Sequence, residues 1–141
     1  MKENIEESFR KFFPSNDILA DAYNVIKPFN RKDYKYTNRK QELVDLSKIS
    51  GTWYDRYTKN NIRWIDMLYH LDRIKNNDFW PQKIERILHE YDTHNIDLAR
   101  IEGSDEYFIW GNGHHRVTLW KLSDLGFKTL PVSLAVRIDN N

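Results

Sequence analysis

One short segment of the chain combines glycine, histidine and arginine in a pattern suited to binding a phosphate group. A helix start exposes unpaired N–H groups and about half a positive charge, and glycines let the backbone approach an anion closely. An arginine adds a planar fork of donors, and histidines add more. The segment lies between a predicted strand and a predicted helix, and we predict that its residues bind phosphate: Gly111, Asn112, Gly113, His114, His115 and Arg116.

The same segment also fits a tight turn whose glycines only satisfy backbone geometry. In that interpretation the histidines cap the helix and Arg116 pairs with a nearby acid. The spacing matches neither a Walker A loop nor the dinucleotide-binding G-x-G-x-x-G pattern. Acid–base chemistry would need a carboxylate near the loop. The candidates, which the sequence does not place, are Asp97, Glu102, Asp105, Glu106 and Asp124.

The histidines do not form a convincing metal site. The chain has 141 residues, five histidines and no cysteine, which excludes disulfides, thiolate zinc sites and thiol catalysis. His89 and His94 are five positions apart and do not share a helix face, and the side chains of His114 and His115 diverge on a helix. We therefore predict no protein-bound structural metal.

The residues after Asn95 predict a small sheet around the loop. Residues 96–101 alternate apolar with polar, residues 107–110 are an apolar run, and turn-forming residues between them indicate a hairpin. A helix is predicted from His114 to Leu125 and a final strand over residues 129–138. Pro131 should lie near the start of that strand or at a sheet edge, because proline cannot donate to a ladder.

The earlier part of the chain predicts helices. Helical spacing or stop signals occur in five segments, which are 4–13, 17–26, 41–49, 61–75 and 81–91. We therefore predict a mixed α/β (α+β) fold in one domain over residues 1–141. A helical N-terminal extension, residues 1–60, would precede an α/β core over residues 61–141, with the order strand, strand, glycine loop, helix, strand.

Charge is concentrated in one segment although the formal net charge is only +1. Residues 27–63 carry ten basic and four acidic side chains, and aromatic residues lie between them. Such a segment can follow a phosphate backbone and stack bases, or it can be a solvated connector. The candidate nucleic-acid contacts are Arg31, Lys32, Lys35, Arg39 and Lys40. Trp64, Trp80, Trp110 and Trp120 have core-like spacing, and Trp110 is the best candidate for base stacking because it adjoins the loop.

The loop and its surroundings resemble the ParB/sulfiredoxin superfamily. In that superfamily a strand leads into a D/N-G-x-H-R loop, a helix, a Leu-Gly…Pro-Val connection and a strand. This chain has the run 107–117, then Leu125-Gly126 and residues 128–132, and a weaker similarity at residues 80–84. The resemblance covers about residues 80–138 and implies a small α/β domain that binds nucleotide phosphates at the loop.

The resemblance also implies roles for individual residues. Gly113, His115 and Arg116 match the shared glycine, histidine and arginine, whereas Asn112 replaces a common aspartate. His114 stands where sulfiredoxins carry their catalytic cysteine, so sulfiredoxin chemistry is excluded. The implied activity is NTP hydrolysis or phosphoryl transfer with ATP or CTP and magnesium. His114, His115 and Arg116 would be catalytic, and Lys83 would assist in phosphate binding.

Two other functions remain open at this stage. One is a nucleic-acid-binding or nuclease-like protein that uses the basic residues of segment 27–63. The other is a non-catalytic interaction protein, for example a phage or defence-associated inhibitor that binds a protein partner. Mean hydropathy is −0.79 and no apolar stretch approaches the roughly 20 residues of a membrane span, so we expect a cytoplasmic protein without membrane contact.

Overall fold

A computed structural model describes residues 5–13, 17–70, 86, 96–123 and 129–138. It contains a seven-stranded mixed sheet and a few short helices. The strands are β1 Lys27–Pro28, β2 Lys35–Tyr36, β3 Lys40–Asp45, β4 Ile49–Thr52, β5 Asp97–Ile101, β6 Tyr107–Ile109 and β7 Thr129–Ile138. The α-helices are α1 Ile5–Phe12, α2 Met67–His70 and α3 His114–Leu122. The 3-10 helices are Ala20–Tyr23, Leu46–Lys48, Asp55–Tyr57 and Lys59–Asn61.

The sheet order brings the two ends of the chain together. The strands follow the order β1-β4-β6-β5-β7-β2, and β3 also pairs with β7. β1, β4 and β6 are parallel to one another, and β5 is antiparallel to β6 and parallel to β7. β2 and β3 both run antiparallel to β7. The first strands of the chain therefore occupy both flanks of a sheet whose centre comes from the last third.

Successive side chains of each strand point to opposite faces of the sheet, because side chains in a β-strand repeat every two residues. One face packs on α3 and the main apolar cluster, to which β5 contributes Leu98 and β6 contributes Ile109. The other face carries a smaller cluster around Ala99 and Phe108. Phe29, which follows β1, stacks on Phe108 at a centroid distance of 4.9 Å and covers this second face.

The prediction of a helical N-terminal half is wrong. Only the first helix was predicted correctly, since α1 spans Ile5–Phe12. In place of a helix over 17–26, the chain has one 3-10 turn and then an isolated bridge from Val25 to Arg63. In place of a helix over 41–49, it forms β3 and then β4. Both segments find their backbone partners far away in the sequence, and this tertiary pairing overrides weak local propensity.

The prediction for residues 61–75 is partly wrong. The chain bridges to Val25 at Arg63, turns at residues 64–66 and is α-helical only over Met67–His70. The apolar pattern was nevertheless informative, because Ile62, Ile65 and Leu68 are buried. The rest of that predicted helix, and almost all of the one over 81–91, fall outside the described residues.

The predictions for the C-terminal half are confirmed where the structure describes them. β5 and β6 form the expected antiparallel hairpin, and α3 begins at His114. β7 covers residues 129–138, and Pro131 is its third residue, ahead of the pairing with β5 that begins at Ser133. Among the described residues, no helix is long and apolar enough to span a bilayer.

Candidate functional site

The glycine loop lies at one edge of the sheet. Residues 110–113 connect the carboxyl end of β6 to the first residue of α3. Because β4 and β6 are parallel, the end of β4 at Thr52 lies beside the end of β6 at Ile109. β5 is antiparallel to β6, so its first residue, Asp97, lies at the same edge. Open α/β sheets bind ligands outside the carboxyl ends of their parallel strands.

Gly113 forms the turn into α3. Its φ is +123°, a conformation that side chains with a Cβ rarely adopt, and an added Cβ would lie 3.3 Å from Cγ2 of Ile96. Its carbonyl accepts the first helical hydrogen bond from the Val117 N–H at 2.8 Å. As the N-cap residue it supplies no capping side chain. The loop geometry therefore requires glycine here, and the helix terminus carries no side-chain cap of its own.

Gly111 lets a carboxylate approach the loop. A Cβ at this position would lie 2.8 Å from Oδ2 of Asp97. The Trp110 N–H donates to the Asp97 carbonyl at 2.9 Å, and the Asp97 N–H donates to the Asn112 carbonyl at 3.3 Å. Of the four candidate carboxylates that the structure describes, Asp97 is the one that it brings to the loop. The sequence placed Asp97 at the start of a predicted strand, but it did not show which segments of the chain lie beside that strand.

Two of the other candidate carboxylates lie at the opposite edge of the sheet, ahead of β6. Glu106 pairs with Lys27 at 2.7 Å, and Asp105 pairs with Lys48 at 3.3 Å. Glu102 lies in the turn after β5, and Asp124 is outside the described residues.

His114 is held in an aromatic environment. Its Nε2 lies 2.6 Å from the Thr52 hydroxyl oxygen, which also accepts the Tyr54 N–H at 3.1 Å. The rings of Tyr54 and Tyr57 lie 5.9 and 5.3 Å from the imidazole centroid. Burial, with a smaller contribution from His115, lowers the pKa of His114 from 6.5 to about 4. The ring is therefore neutral at pH 7 and links the start of α3 to the end of β4.

His115 and Arg116 occupy the rest of the first turn of α3. Both are half-buried, and both make contacts within the protein. Asn112 is exposed at the loop tip. The predicted phosphate-binding residues at positions 111–116 thus all lie in the loop and in the first turn of α3. Lys83, the remaining predicted phosphate ligand, lies outside the described residues.

Two arginines from the basic aromatic segment reach this loop. Nη1 of Arg31 donates to the Trp110 carbonyl at 3.1 Å, and the Arg31 guanidinium lies 3.3 Å from the ring centroid of Trp53. Arg39 donates to Oδ1 of Asp97 at 3.2 Å and lies 4.6 Å from the ring centroid of Trp110. The sequence predicted these arginines as nucleic-acid contacts but gave no indication that they adjoin the glycine loop.

The three lysines of the same prediction lie apart from these contacts. Lys32, Lys35 and Lys40 are exposed. Lys35 begins β2 and Lys40 begins β3, so both lie on the outer flank of β7. The basic aromatic segment is therefore part of the sheet and of its second face, with its lysine charges directed to the surface.

Three buried side-chain nitrogen or oxygen atoms in the described part of the chain have no hydrogen-bond partner, namely Trp53 Nε1, Trp110 Nε1 and Thr118 Oγ1. Two of them belong to the tryptophans that directly follow β4 and β6. Buried donors without an acceptor are uncommon in proteins. Within residues 5–13, 17–70, 86, 96–123 and 129–138, no group of three or more His, Asp or Glu side chains is arranged to hold a metal ion.

Comparisons of the whole chain with known protein families, with characterised proteins and with solved structures give no match. The resemblance of the loop to the ParB/sulfiredoxin superfamily therefore remains a prediction from the residues at 107–132.

Proposed function

We propose that this chain binds a nucleotide through its phosphates at the 111–116 loop, as the resemblance to the ParB/sulfiredoxin superfamily implies. One observation carries the proposal. The loop runs from the end of β6 into the uncapped N-terminus of α3, at the edge where the parallel strands β4 and β6 both end. The first N–H groups of this nine-residue helix have no partner within the helix, and such groups favour phosphate.

Two residues of the first turn, His115 and Arg116, would contact the phosphates. The positive charge there comes from the helix terminus and from the Arg116 guanidinium. His114 contributes no charge at pH 7, because its pKa is about 4, and its contacts with Thr52 and Tyr57 instead fix the start of the helix. We therefore assign His114 a positioning role in this proposal.

The proposed chemistry is NTP hydrolysis or phosphoryl transfer, in which catalysis depends on positioning and on neutralising charge. Magnesium supplies that neutralisation when it is bound, and it is commonly held by one or two carboxylates together with the substrate's phosphates. Asp97, whose Oδ2 faces Gly111, would be the carboxylate to take part. Its other oxygen pairs with Arg39.

Calorimetric titration with ATP, CTP and GTP, each with and without magnesium, tests the proposal. We expect binding that weakens about tenfold or more in Arg116→Ala. Arg100→Ala is the matched control, since Arg100 bonds to the Ser104 carbonyl at the opposite end of β5. The proposal fails if no nucleotide binds at millimolar concentration, or if Arg116→Ala binds as tightly as the unaltered chain. Phosphate release measured on the same samples separates an enzyme from a binding protein.

Nucleic-acid binding is the second candidate, and the position of the exposed lysines favours it. Lys35 and Lys40 begin the strands β2 and β3 on the outer flank of β7, Lys32 is exposed in the turn ahead of β2, and Arg39, between β2 and β3, reaches the loop. A strand held there would bind with steep salt dependence. Changing the three lysines to glutamate should weaken binding of a fluorescent oligonucleotide and flatten that dependence. Binding that ignores salt, or that survives the triple substitution, would exclude this candidate.

A further inference from the structure

The Trp110 ring is fixed directly beside the glycine loop. It stacks on Tyr36 at a centroid distance of 4.8 Å with planes inclined by 29°. Its backbone is held on both sides, because its N–H donates to the Asp97 carbonyl and its carbonyl accepts from Arg31. An aromatic ring in this position lies one residue before the first glycine of the proposed phosphate site.

A planar cation already lies against this ring. The Arg39 guanidinium is 4.6 Å from the Trp110 ring centroid, and its other contact is the 3.2 Å ion pair with Asp97. The Arg39 side chain is 51% exposed. Exposed ion pairs and exposed cation–π contacts are both weak interactions. Another planar group that stacks on Trp110 could therefore replace this guanidinium, at the cost of its ion pair with Asp97, whose side chain is 16% exposed.

A local irregularity of the sheet positions Arg39 beside Trp110. Tyr36 pairs with Arg137 and Lys40 pairs with Leu134, so residues 37–39 lie opposite residues 135 and 136. This is the arrangement of a β-bulge, which redirects side chains and is frequent beside functional sites. Arg39 is the last residue of the bulge, and its side chain crosses toward β5 to reach Asp97.

A planar base suits this ring better than a phosphate does. Nucleobases have a planar face that stacks on an aromatic side chain, whereas inorganic phosphates have no planar ring to stack.

We infer that Trp110 is the platform for the planar base of a free nucleotide, which stacks on the indole in the place of the Arg39 guanidinium. The inference rests on the proposed function, because the loop next to Trp110 would hold the phosphates of the same molecule. Arg39 leaves Asp97 when the base binds. The base of the proposed nucleotide, and not only its phosphates, thereby has a place on the protein.

The test compares ATP with tripolyphosphate, which has the phosphates and lacks the base. Stacking on an aromatic side chain contributes roughly tenfold or more in affinity per base, so the unaltered chain should prefer ATP by about that factor. Trp110→Leu should bind both equally, and Trp110→Tyr, which restores an aromatic platform, should recover the preference. Tyr34→Leu is the matched control, because Tyr34 is an exposed aromatic of the same segment whose ring contacts Arg137 instead.

Adenosine, which has the base and no phosphate, tests the displacement itself. The substitution Arg39→Ala removes the group that competes for the Trp110 ring, so the affinity of this variant for adenosine should rise about threefold or more. Unchanged or weaker adenosine binding would overturn the displacement, and a preference for ATP that persists in Trp110→Leu would overturn the platform. If ATP and tripolyphosphate bind the unaltered chain equally well, this inference fails while the proposed function stands.

Two further outcomes complete the test. If neither ATP nor tripolyphosphate binds, the proposed function fails and this inference fails with it. If a ten-residue oligothymidylate, and not ATP, loses affinity in Trp110→Leu, the platform serves a nucleic-acid strand and the statement about free nucleotides is overturned.

Discussion

Acidification should destabilise this protein through one histidine. The pKa of His114 is 6.5 in an ordinary setting and about 4 in the folded chain, because burial opposes the charged ring. As the pH falls below 6.5 the unfolded chain therefore takes up a proton before the folded chain does, and the free energy of unfolding decreases. The stability is present in full above about pH 6.5 and is lost progressively toward pH 4. Below pH 4 both states are protonated and His114 causes no further loss.

The expected size follows from the same pKa difference. One pKa unit corresponds to about 1.4 kcal/mol, so the full effect is about 3–4 kcal/mol, of which about 2–3 kcal/mol is lost between pH 7 and pH 4.5. Urea denaturation at pH 7, 6, 5 and 4.5 measures this change directly. Asp66 interferes little in this range, since the Arg63 side chain lowers its pKa below 3.8 and its contribution is lost only at more acidic pH.

His114→Gln should remove most of this pH dependence even if its stability at pH 7 differs from that of the unaltered chain. His70→Gln is the matched control, because His70 lies at the end of α2, away from the Thr52–Tyr57 environment, and should keep the slope. An unaltered chain whose stability is flat from pH 7 to pH 4.5 would refute the reasoning. A His114→Gln variant that loses stability as steeply as the unaltered chain would refute it equally.

Three further predictions concern single residues, each measured by denaturation at pH 7. Gly113→Ala should lower the free energy of unfolding by roughly 1–3 kcal/mol, because φ at this position is +123°, and an unchanged value would contradict the assigned loop conformation. Asp21→Asn should cost about 1–3 kcal/mol, since it leaves the buried Lys121 ammonium without its ion pair. A neutral result would mean that the Leu46 carbonyl alone satisfies that lysine. Gly51→Ala should prevent β1 from pairing with β4, because its Cβ would overlap the Lys27 carbonyl, and normal stability would contradict that pairing.

Most of the fold that the sequence predicts correctly forms from neighbouring segments. The β5–β6 hairpin is joined by a short turn, and α3 starts at a glycine and follows directly from β6. β7 is also predicted correctly although its partners are distant, because buried apolar residues alternate along it at Leu130, Val132 and Leu134. The failures are β3 and β4, whose pairing partners are distant in sequence. β3 is an edge strand in which only Val44 is buried, so the alternation that would reveal a strand is absent.

The candidate site also has a part that the sequence predicts and a part that it does not. The loop residues at 111–116 are contiguous, so their chemistry could be recognised from spacing alone. Asp97, Thr52 and Arg39 join the site only because β4, β5 and the bulge at 37–39 meet at one edge of the sheet. Their residue types do not indicate that they lie close together, because a carboxylate, a hydroxyl or an arginine is common anywhere in a chain.

The position of β7 has a consequence for how the chain folds during synthesis. β7 follows all the other described strands in sequence, yet it lies inside the sheet, between β5 and the β2–β3 flank. Until it emerges from the ribosome, β5 has an unpaired edge and β3 has no partner in the sheet. Exposed strand edges are templates for aggregation, and distant pairings such as Lys40 with Leu134 slow folding. A nascent chain halted before Thr129 should therefore be a substrate for chaperones, and folding should be completed only after β7 is released.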